Sequence, residues 1–533
     1  MRPNLTLNLG VNYSWQEVPF GARQQKVNAL SSVSGVIRFG EPTSQKKNFG
    51  PRLGLAYAPN SDQGVLGFLF GNGGQSSIRA GFSMGYDVIF GNLNILSLPP
   101  QANQTVEVDP GVPNFLKNGG ISQIPLPTGN NAAAARAATT AFIPDQQVPY
   151  AINYTLSYQR QWQQNWSVEL RYLGTRGIHL PTQNRINVQT QTTATEFLPT
   201  FLARPMQAQI DALKLSLATL QAKSRFVSTY AAAGFNAQNI IAFLPNGNSS
   251  YHGFSSQLTR RFAQGWMGSA AYTWSHLIDD TTAEVFSTVL SPRRVQDFQN
   301  LRAERANSAL DRRHRLALSS VYDVRFFTKS SHRFVRTVLG GFSLAGTLSL
   351  EAGEDATVRS GVDTNQNGDN AGDRTILNPS GVKGAASTVT ALLQTCTTFN
   401  ANGTCALSNA ARTIGYLADD PNAQYIQAGL GARATAGRNT LKLPGINNVG
   451  FSVFKNFQFT ETVKLQFRAD FFNVFNHAQF IPGSPNGVES TAQTSDAVTS
   501  RVTVGLNKAL FNRPDLVFSS HPRVIQLALR LNF

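Results

Sequence analysis

Charge, sulfur and long apolar runs are all scarce in this chain of 533 residues. No stretch of about 18 consecutive apolar residues occurs, which excludes a helical membrane span. The longest candidate, Val338 to Leu350, is too short and is interrupted by Gly340, Gly341 and Gly346. Only 14% of residues are charged and only four are Met, and helix-rich stretches are few. The histidines, His179, His252, His276, His314, His332, His477 and His521, show no i, i+4 pairing and have no cysteine companions, so no zinc motif is present. A nucleophile elbow is also missing, and the glycine-rich stretches lack the lysine and following helix of a phosphate loop. Gly71-Asn72-Gly73-Gly74 reads more simply as a turn. With no acid, base or nucleophile cluster, an enzyme is the weakest functional class.

Cys396 and Cys405 are the two cysteines, in a Thr/Asn/Gly-rich loop and close enough for a small disulfide ring, which would suit an oxidising compartment; two free thiols are the alternative. Met1-Arg2-Pro3-Asn4-Leu5 does not open a signal peptide, because strand-like alternation starts where an apolar core should be. The expectation is a cytosolic protein or a chain whose start is missing. A net charge of +16 raises nucleic acid as a partner. Yet the basic residues are scattered, and the densest cluster, Arg312-Arg313-His314-Arg315, stands beside Asp311 at the opening of a strand. A solvated or lipid-headgroup-facing rim is the better reading, with no nucleic-acid partner.

What the chain has in quantity is Gly (44), Phe (35), Tyr (13) and strict alternation. In Val524 to Phe533, Ile525, Leu527, Leu529, Leu531 and Phe533 fall on one side of an extended chain and Gln526, Arg530 and Asn532 on the other. Leu5 to Tyr13 alternates as cleanly. Ile152 to Arg160 turns through Gln163-Gln164-Asn165 into Trp166 to Tyr172, Phe254 to Phe262 turns through Ala263-Gln264-Gly265 into Trp266 to Trp274, and Val449 to Phe457 turns through Thr460-Glu461 into Val463 to Phe475. These are β-hairpins with aromatic residues near the ends of their apolar sides. The pattern predicts an all-β fold of about 12 strands, an even number as single-chain bacterial barrels require.

The connections are unequal. Short turns stand at one end of each hairpin, and inserts at 88–149, 177–252, 277–313, 352–447 and 476–522 stand at the other. Structureless loops of that length count against a compact soluble domain, whereas short periplasmic turns alternating with long extracellular loops are expected of an outer-membrane barrel. One insert carries a helical seam: Met206, Ile210, Leu213, Leu217 and Leu220 step by four and three, as in a helix packed on its own loop or on the barrel mouth.

Specific residues add a resemblance. Leu465-Gln466-Phe467-Arg468-Ala469-Asp470-Phe471-Phe472-Asn473-Val474-Phe475-Asn476-His477, then Pro522-Arg523-Val524-Ile525-Gln526-Leu527-Ala528-Leu529 and a terminal Phe533, resembles the C-terminal end of TonB-dependent outer-membrane receptors, the Oar-like subgroup in particular. Asn300 to Arg305, Asp311 to Arg315, Tyr172 to Leu180 and Arg2 to Gly10 are similar to further segments of that family, in the same order. The resemblance implies a partial transmembrane antiparallel barrel of about 22 strands when complete, to which residues 1–533 contribute the C-terminal part without plug or signal peptide. It implies outer-membrane lipid and lipopolysaccharide, the barrel-assembly machinery, the missing plug and N-terminal strands, and an unknown ligand as partners. The TonB complex would be met only through the absent N-terminal part. Phe533 is implied as an assembly signal, and the last strand as an edge awaiting its partner.

In this reading Lys464, Gln466, Arg468, Asp470, Gln526 and Arg530 face the lumen, and the chain supplies wall and ligand-facing loops for energised uptake of a bulky nutrient. A passive channel or adhesion barrel is the first rival, and a soluble extracellular all-β binding protein the second. One constellation carries specific chemistry. Asp363, Asn365, Asn367 and Gly368, followed by Asp369 and Asp373, match the start of a calcium loop, with Arg374 where a bidentate Glu is expected. Calcium is the one cofactor this raises, and an Asx-turn-rich surface loop is the alternative. Asp279-Asp280 with Glu284 reads as a solvated loop.

Overall fold

The computed structural model describes residues 4–16, 31–40, 43–61, 63–87, 132–142, 147–281, 283–286, 289–292, 294–328, 330–460, 462–479, 503–505, 511–513, 515 and 522–533. Period-two alternation becomes one antiparallel sheet of twelve consecutive strands. These are β1 (Leu5–Gln16), β2 (Gln45–Tyr57), β3 (Ser76–Tyr86), β4 (Tyr150–Trp162), β5 (Trp166–Arg185), β6 (Ile241–Ala263), β7 (Trp266–Asp279), β8 (His314–Asp323), β9 (Phe342–Glu351), β10 (Ile446–Gln458), β11 (Lys464–Phe472) and β12 (Val524–Asn532). Each strand pairs with the one before it in the chain, and β1 and β12 are the edges of the sheet. Two short strands lie off this path: Ala306–Asn307 pairs with β7 and Ala141–Phe142 with β6.

The register lines up like with like. Leu7 faces Leu55, Leu55 faces Ala80, Ala80 faces Leu156 and Leu156 faces Tyr172 across four successive ladders. The next row, Asn8, Gly54, Gly81 and Thr155, lies on the opposite side. The apolar side is bare: Leu9 is 78% and Leu529 70% exposed. An apolar belt across twelve strands has no counterpart on water-soluble monomers, whose exposed patches are small, and it fits a sheet solvated by hydrocarbon. The buried hydrophobic clusters lie in the connections at one end.

Several strands outrun their sequence signal. The β5–β6 ladder continues to Arg185 and Ile241, past irregularities at Gly177/Leu180 and Leu180/Thr182, so the insert expected at 177–252 narrows to 186–240. Those at 277–313 and 352–447 become 280–313 and 352–445 because β7 runs to Asp279 and β10 starts at Ile446. Most of 88–149 and 476–522 lies outside the described residues. At the other rim, Gln264 and Gly265 take φ of 53° and 84°, the left-handed pair a tight hairpin needs.

Two connections at that rim hold short helices, α1 (Gly64–Phe70) between β2 and β3 and, further along, one over Arg333–Leu339 between β8 and β9. Seven residues each is too short for a helical period to show, and Gly64 and Gly67 depress helix propensity in the first. The expected single seam after Pro205 is two helices, α2 (Gln207–Asp211) and α3 (Leu217–Gln221). Ser216 breaks it by capping α3, its hydroxyl accepting from the Thr219 N–H. Ile210, Leu217 and Leu220 are buried as the seam requires, while Met206 is exposed. The Arg333–Leu339 helix is α4. Among the described residues no helix is long and apolar enough to cross a membrane.

Candidate functional site

The long connections build one folded cap over their end of the sheet. Leu198, Leu217 and Leu220 from 186–240 pack with Tyr416, Ala428 and Ala432 from 352–445. Ile210 joins Leu392 and Ile414 between the same two connections. Val188 meets Val295 and Phe298 of 280–313, Ile37 and Phe39 of the first connection meet Phe235 and Ile240, and Val504 and Phe511 of the last join Ala356 and Tyr425. Backbone pairing reinforces this, because Thr200–Phe201 adds in parallel to Thr413–Ala418, whose other edge holds Val389–Leu393. Since each core is shared between connections, none can open without exposing a neighbour's apolar surface. Within the cap, Cys396 and Cys405 form a disulfide with Cα atoms 5.9 Å apart. Burial pushes the Tyr416 hydroxyl up to about 12, and it donates to the Leu430 carbonyl at 2.7 Å.

Buried ion pairs fasten the cap to the strand ends. Arg438 of the cap donates Nη2 to the carbonyl of Asp279, the last residue of β7, at 2.7 Å, and pairs with its carboxylate. Its Nε reaches the Glu304 carbonyl at 2.9 Å. The Glu304 side chain, 2% exposed, receives Arg374 Nη1 at 2.7 Å and the Gln296 N–H at 3.2 Å. Asp311, also fully buried, accepts the Leu277 N–H at 2.7 Å and Arg313 at 3.2 Å. Arg312 reaches Glu351 at 2.9 Å and also Glu354, while Arg315 reaches Glu351 at 3.2 Å. Within the basic cluster, expected to form a solvated or headgroup-facing rim, Arg312 and Arg313 are thus half-buried and paired with carboxylates of their own chain, while His314 and Arg315 stay exposed. Asp279 and Asp280, expected in a solvated loop, are buried, and Asp280 accepts the Asn248 N–H at 3.0 Å. The Glu284 side chain lies outside the described residues. Arg374 and Arg438 were not legible as site residues, because each finds its carboxylate 70 or more positions away.

The Asp/Asn loop sits against this network. Asp363 accepts the N–H groups of Asn367 at 3.1 Å and Gly368 at 2.8 Å, Asn365 Oδ1 accepts the Asn367 N–H at 3.0 Å, and Asn367 Oδ1 accepts the Asp369 N–H at 2.8 Å. Gly368 has φ of 84°, which permits the sharp turn. Asp369 lies between Arg185 at 3.1 Å and Arg294 at 2.7 Å. Asp373 accepts the Thr364 N–H at 2.7 Å and Asn365 Nδ2 at 3.0 Å. Burial holds its carboxyl well above the usual carboxylate range, and the neighbouring Asp363 charge adds to the shift. Burial also raises Asp363, against the pull of the N–H groups it accepts.

Among the described residues no group of three or more His, Cys, Asp or Glu side chains is placed to hold a metal ion. With the carboxylates engaged by N–H donors and arginines, the expected result of titrating the purified chain is no calcium bound at millimolar concentration. Stoichiometric binding by calorimetry would overturn this.

The six residues expected on a lumen share the sides the register gives them. Gln526 stands opposite Asp470 and Arg530 opposite Gln466. Asp470 accepts from Arg468 Nε at 2.9 Å and is itself buried, and Lys464 pairs with Asn532. Phe533, at 95% exposure, directly follows the edge strand.

A family model described as "Outer membrane beta barrel domain" matches residues 1–508. No curated protein matches. Among solved structures, the chain is similar to the outer membrane transporter YddB from Escherichia coli at 10% identity, covering 82% of this chain and 38% of that one, with a TM-score of 0.32. It is similar to the ferripyoverdine receptor of Pseudomonas aeruginosa at 9% identity, covering 92% and 34%, with a TM-score of 0.36. The FrpB iron transporter from Neisseria meningitidis is similar at 8% identity, covering 99% and 43%, with a TM-score of 0.39. The chain spans less than half the length of each of these three.

Proposed function

The chain belongs to the outer membrane beta barrel domain family, and from that premise we propose that it forms the wall and outer cap of a TonB-dependent receptor taking up a bulky nutrient. Its sheet is a partial barrel wall in the cell outer membrane, with the bare apolar side toward lipid. The observation that carries the receptor reading is the cap. Connections 186–240, 280–313 and 352–445 all leave one end of the sheet and share cores, which is the construction of a preformed binding surface. In this reading the cap faces outward and contacts the ligand, and α1 and α4 lie on the periplasmic rim. The residues of the cap bind and position, and no chemical step is assigned to them. The segments similar to TonB-dependent receptors supply the energy-coupled part of the proposal, since in that family the gate is a separate plug.

Uptake measurements test it. A strain lacking this gene should fail to accumulate at least one bulky nutrient from a panel, and the uptake it loses should be abolished by a protonophore in the parent strain. Uptake that depends on the gene but ignores the protonophore would mark a passive channel instead.

A further inference from the structure

The helices α1 and α4 fold back against the apolar side of the wall. The Phe68 ring of α1 lies 5.8 Å from Trp162, and Phe70 lies 6.4 Å from Tyr158, both rings belonging to the apolar side of β4. The Tyr158 hydroxyl donates to the Leu69 carbonyl, and Arg160, on the same side of the strand, donates Nη2 to the Gly67 carbonyl at 3.3 Å. The arrangement recurs at α4. Lys455, between Val453 and Phe457 on the apolar side of β10, donates Nζ to the Thr337 carbonyl at 2.8 Å and to that of Gly340, with its ammonium 4.6 Å from the Phe342 ring.

In both places strand alternation aims a cation at lipid. A helix end then supplies carbonyls at the negative end of the helix dipole: the Gly67 oxygen is shared between Arg160 and the Gly71 N–H, and the Thr337 and Gly340 oxygens meet Lys455 at the end of α4. Arg160 and Lys455 are consequently buried, at 6% and 5% exposure. The helices themselves stay bare on their far side. Val65 and Leu66 are exposed on α1, and Phe334, Val338 and Leu339 on α4, where Arg333 and Arg336 are exposed as well. These apolar surfaces continue the apolar side of the wall at its short-connection rim. On α4, apolar side chains beside exposed Arg333 and Arg336 match acyl chains beneath anionic phosphates, while α1 offers an apolar surface alone.

We propose that α1 and α4 are interfacial helices embedded in the phospholipid leaflet at this rim, pinned to the wall by Arg160 and Lys455. The inference rests on the barrel reading, in which the apolar side of the sheet meets lipid.

The test uses the full chain in vesicles of phosphatidylethanolamine and phosphatidylglycerol. Single variants Leu66→Cys, Phe334→Cys, Leu527→Cys and Gln164→Cys each carry an environment-sensitive fluorophore, and the native cysteines are tied in their disulfide. Labels at 66 and 334 should be quenched by lipids brominated near the headgroup, and aqueous iodide should quench them at least about threefold less than the label at 164, which sits in a bare turn on the same rim. Iodide quenching equal to that at 164 would overturn the proposal. So would shielding from iodide without quenching by bromolipid, since protein would then be the cover. If the label at 527 is quenched by bromolipid and those at 66 and 334 are not, only the interfacial helices fail; if none is quenched, the barrel reading fails with them. Lys455→Met should raise iodide quenching at 334 and Lys455→Arg should not, and equal quenching in both would remove the pinning role.

Discussion

Replacing Arg438 with Met should loosen the cap from the sheet at a cost of about 3 to 5 kcal/mol, the usual penalty for removing one partner of a buried ion pair. Arg438 joins three pieces of chain that are far apart in sequence. Its guanidinium meets the Asp279 carboxylate and carbonyl at the end of β7 and the Glu304 carbonyl in the 280–313 connection. Met roughly fills the aliphatic volume but offers no N–H, so a buried carboxylate loses its guanidinium and two carbonyls lose a donor. The next residue reinforces the same junction, since Asn439 Nδ2 donates to the Asn307 carbonyl at 2.6 Å and its N–H to Thr357 Oγ1 at 3.1 Å. Loss of Arg438 should therefore spread to the neighbouring contacts. The expected readout is early proteolysis within 352–445 and a cap transition at lower temperature, with the sheet transition unchanged. Combining Arg438→Met with Asp279→Asn should cost less than the two single changes summed, because the second removes the charge that the first strands. A cap as protease-resistant as the parent's would mean that the shared apolar cores alone hold it.

The sheet was legible because its solvent is uniform on each side, which forces period two. Twelve strands follow from patterns such as Leu5 to Tyr13 and Ile525 to Leu531, and only their ends were misplaced. The extra rungs between Gly177 and Arg185 rise beyond the apolar belt, where alternation need not be kept. The cap was less legible because its order comes from contacts such as Leu198 with Ala432 and Asp279 with Arg438, which leave no local pattern. Asn300 to Arg305 and Asp311 to Arg315 stood out as familiar segments, but the structural role of Glu304 and Asp311 as buried acceptors depends on Arg374 and on a backbone N–H in β7. The a/d seam at 206–220 matches the buried face at Ile210, Leu217 and Leu220 but not at Met206, which is exposed. It also runs through the break at Ser216, whose preference for a cap over a helix interior is the one local signal of it.

Leu527→Arg and Gln526→Arg place the same charge one residue apart on β12, and the first should impair membrane insertion by about 2 to 4 kcal/mol while the second has little effect. Leu527 is 66% exposed on the apolar side, opposite Ala469, and has no carboxylate across the strand. Gln526 points the other way, opposite Asp470, which already accepts from Ser452 and Arg468, so an arginine there would meet an acidic, polar neighbourhood. Folding into vesicles followed by a heat-mobility shift in gel electrophoresis reads the inserted fraction. Equal losses in the two variants would contradict the assignment of faces. Leu527→Ala separates the two causes that a loss at this site could have. Because β12 is a sheet edge and Leu527 is largely uncovered, truncation creates no closed cavity and removes only part of the contact with hydrocarbon. The alanine variant should insert nearly as well as the parent. A deficit close to that of the arginine variant would instead show that Leu527 is packed against protein, and that the apolar side of β12 is an interface between chains.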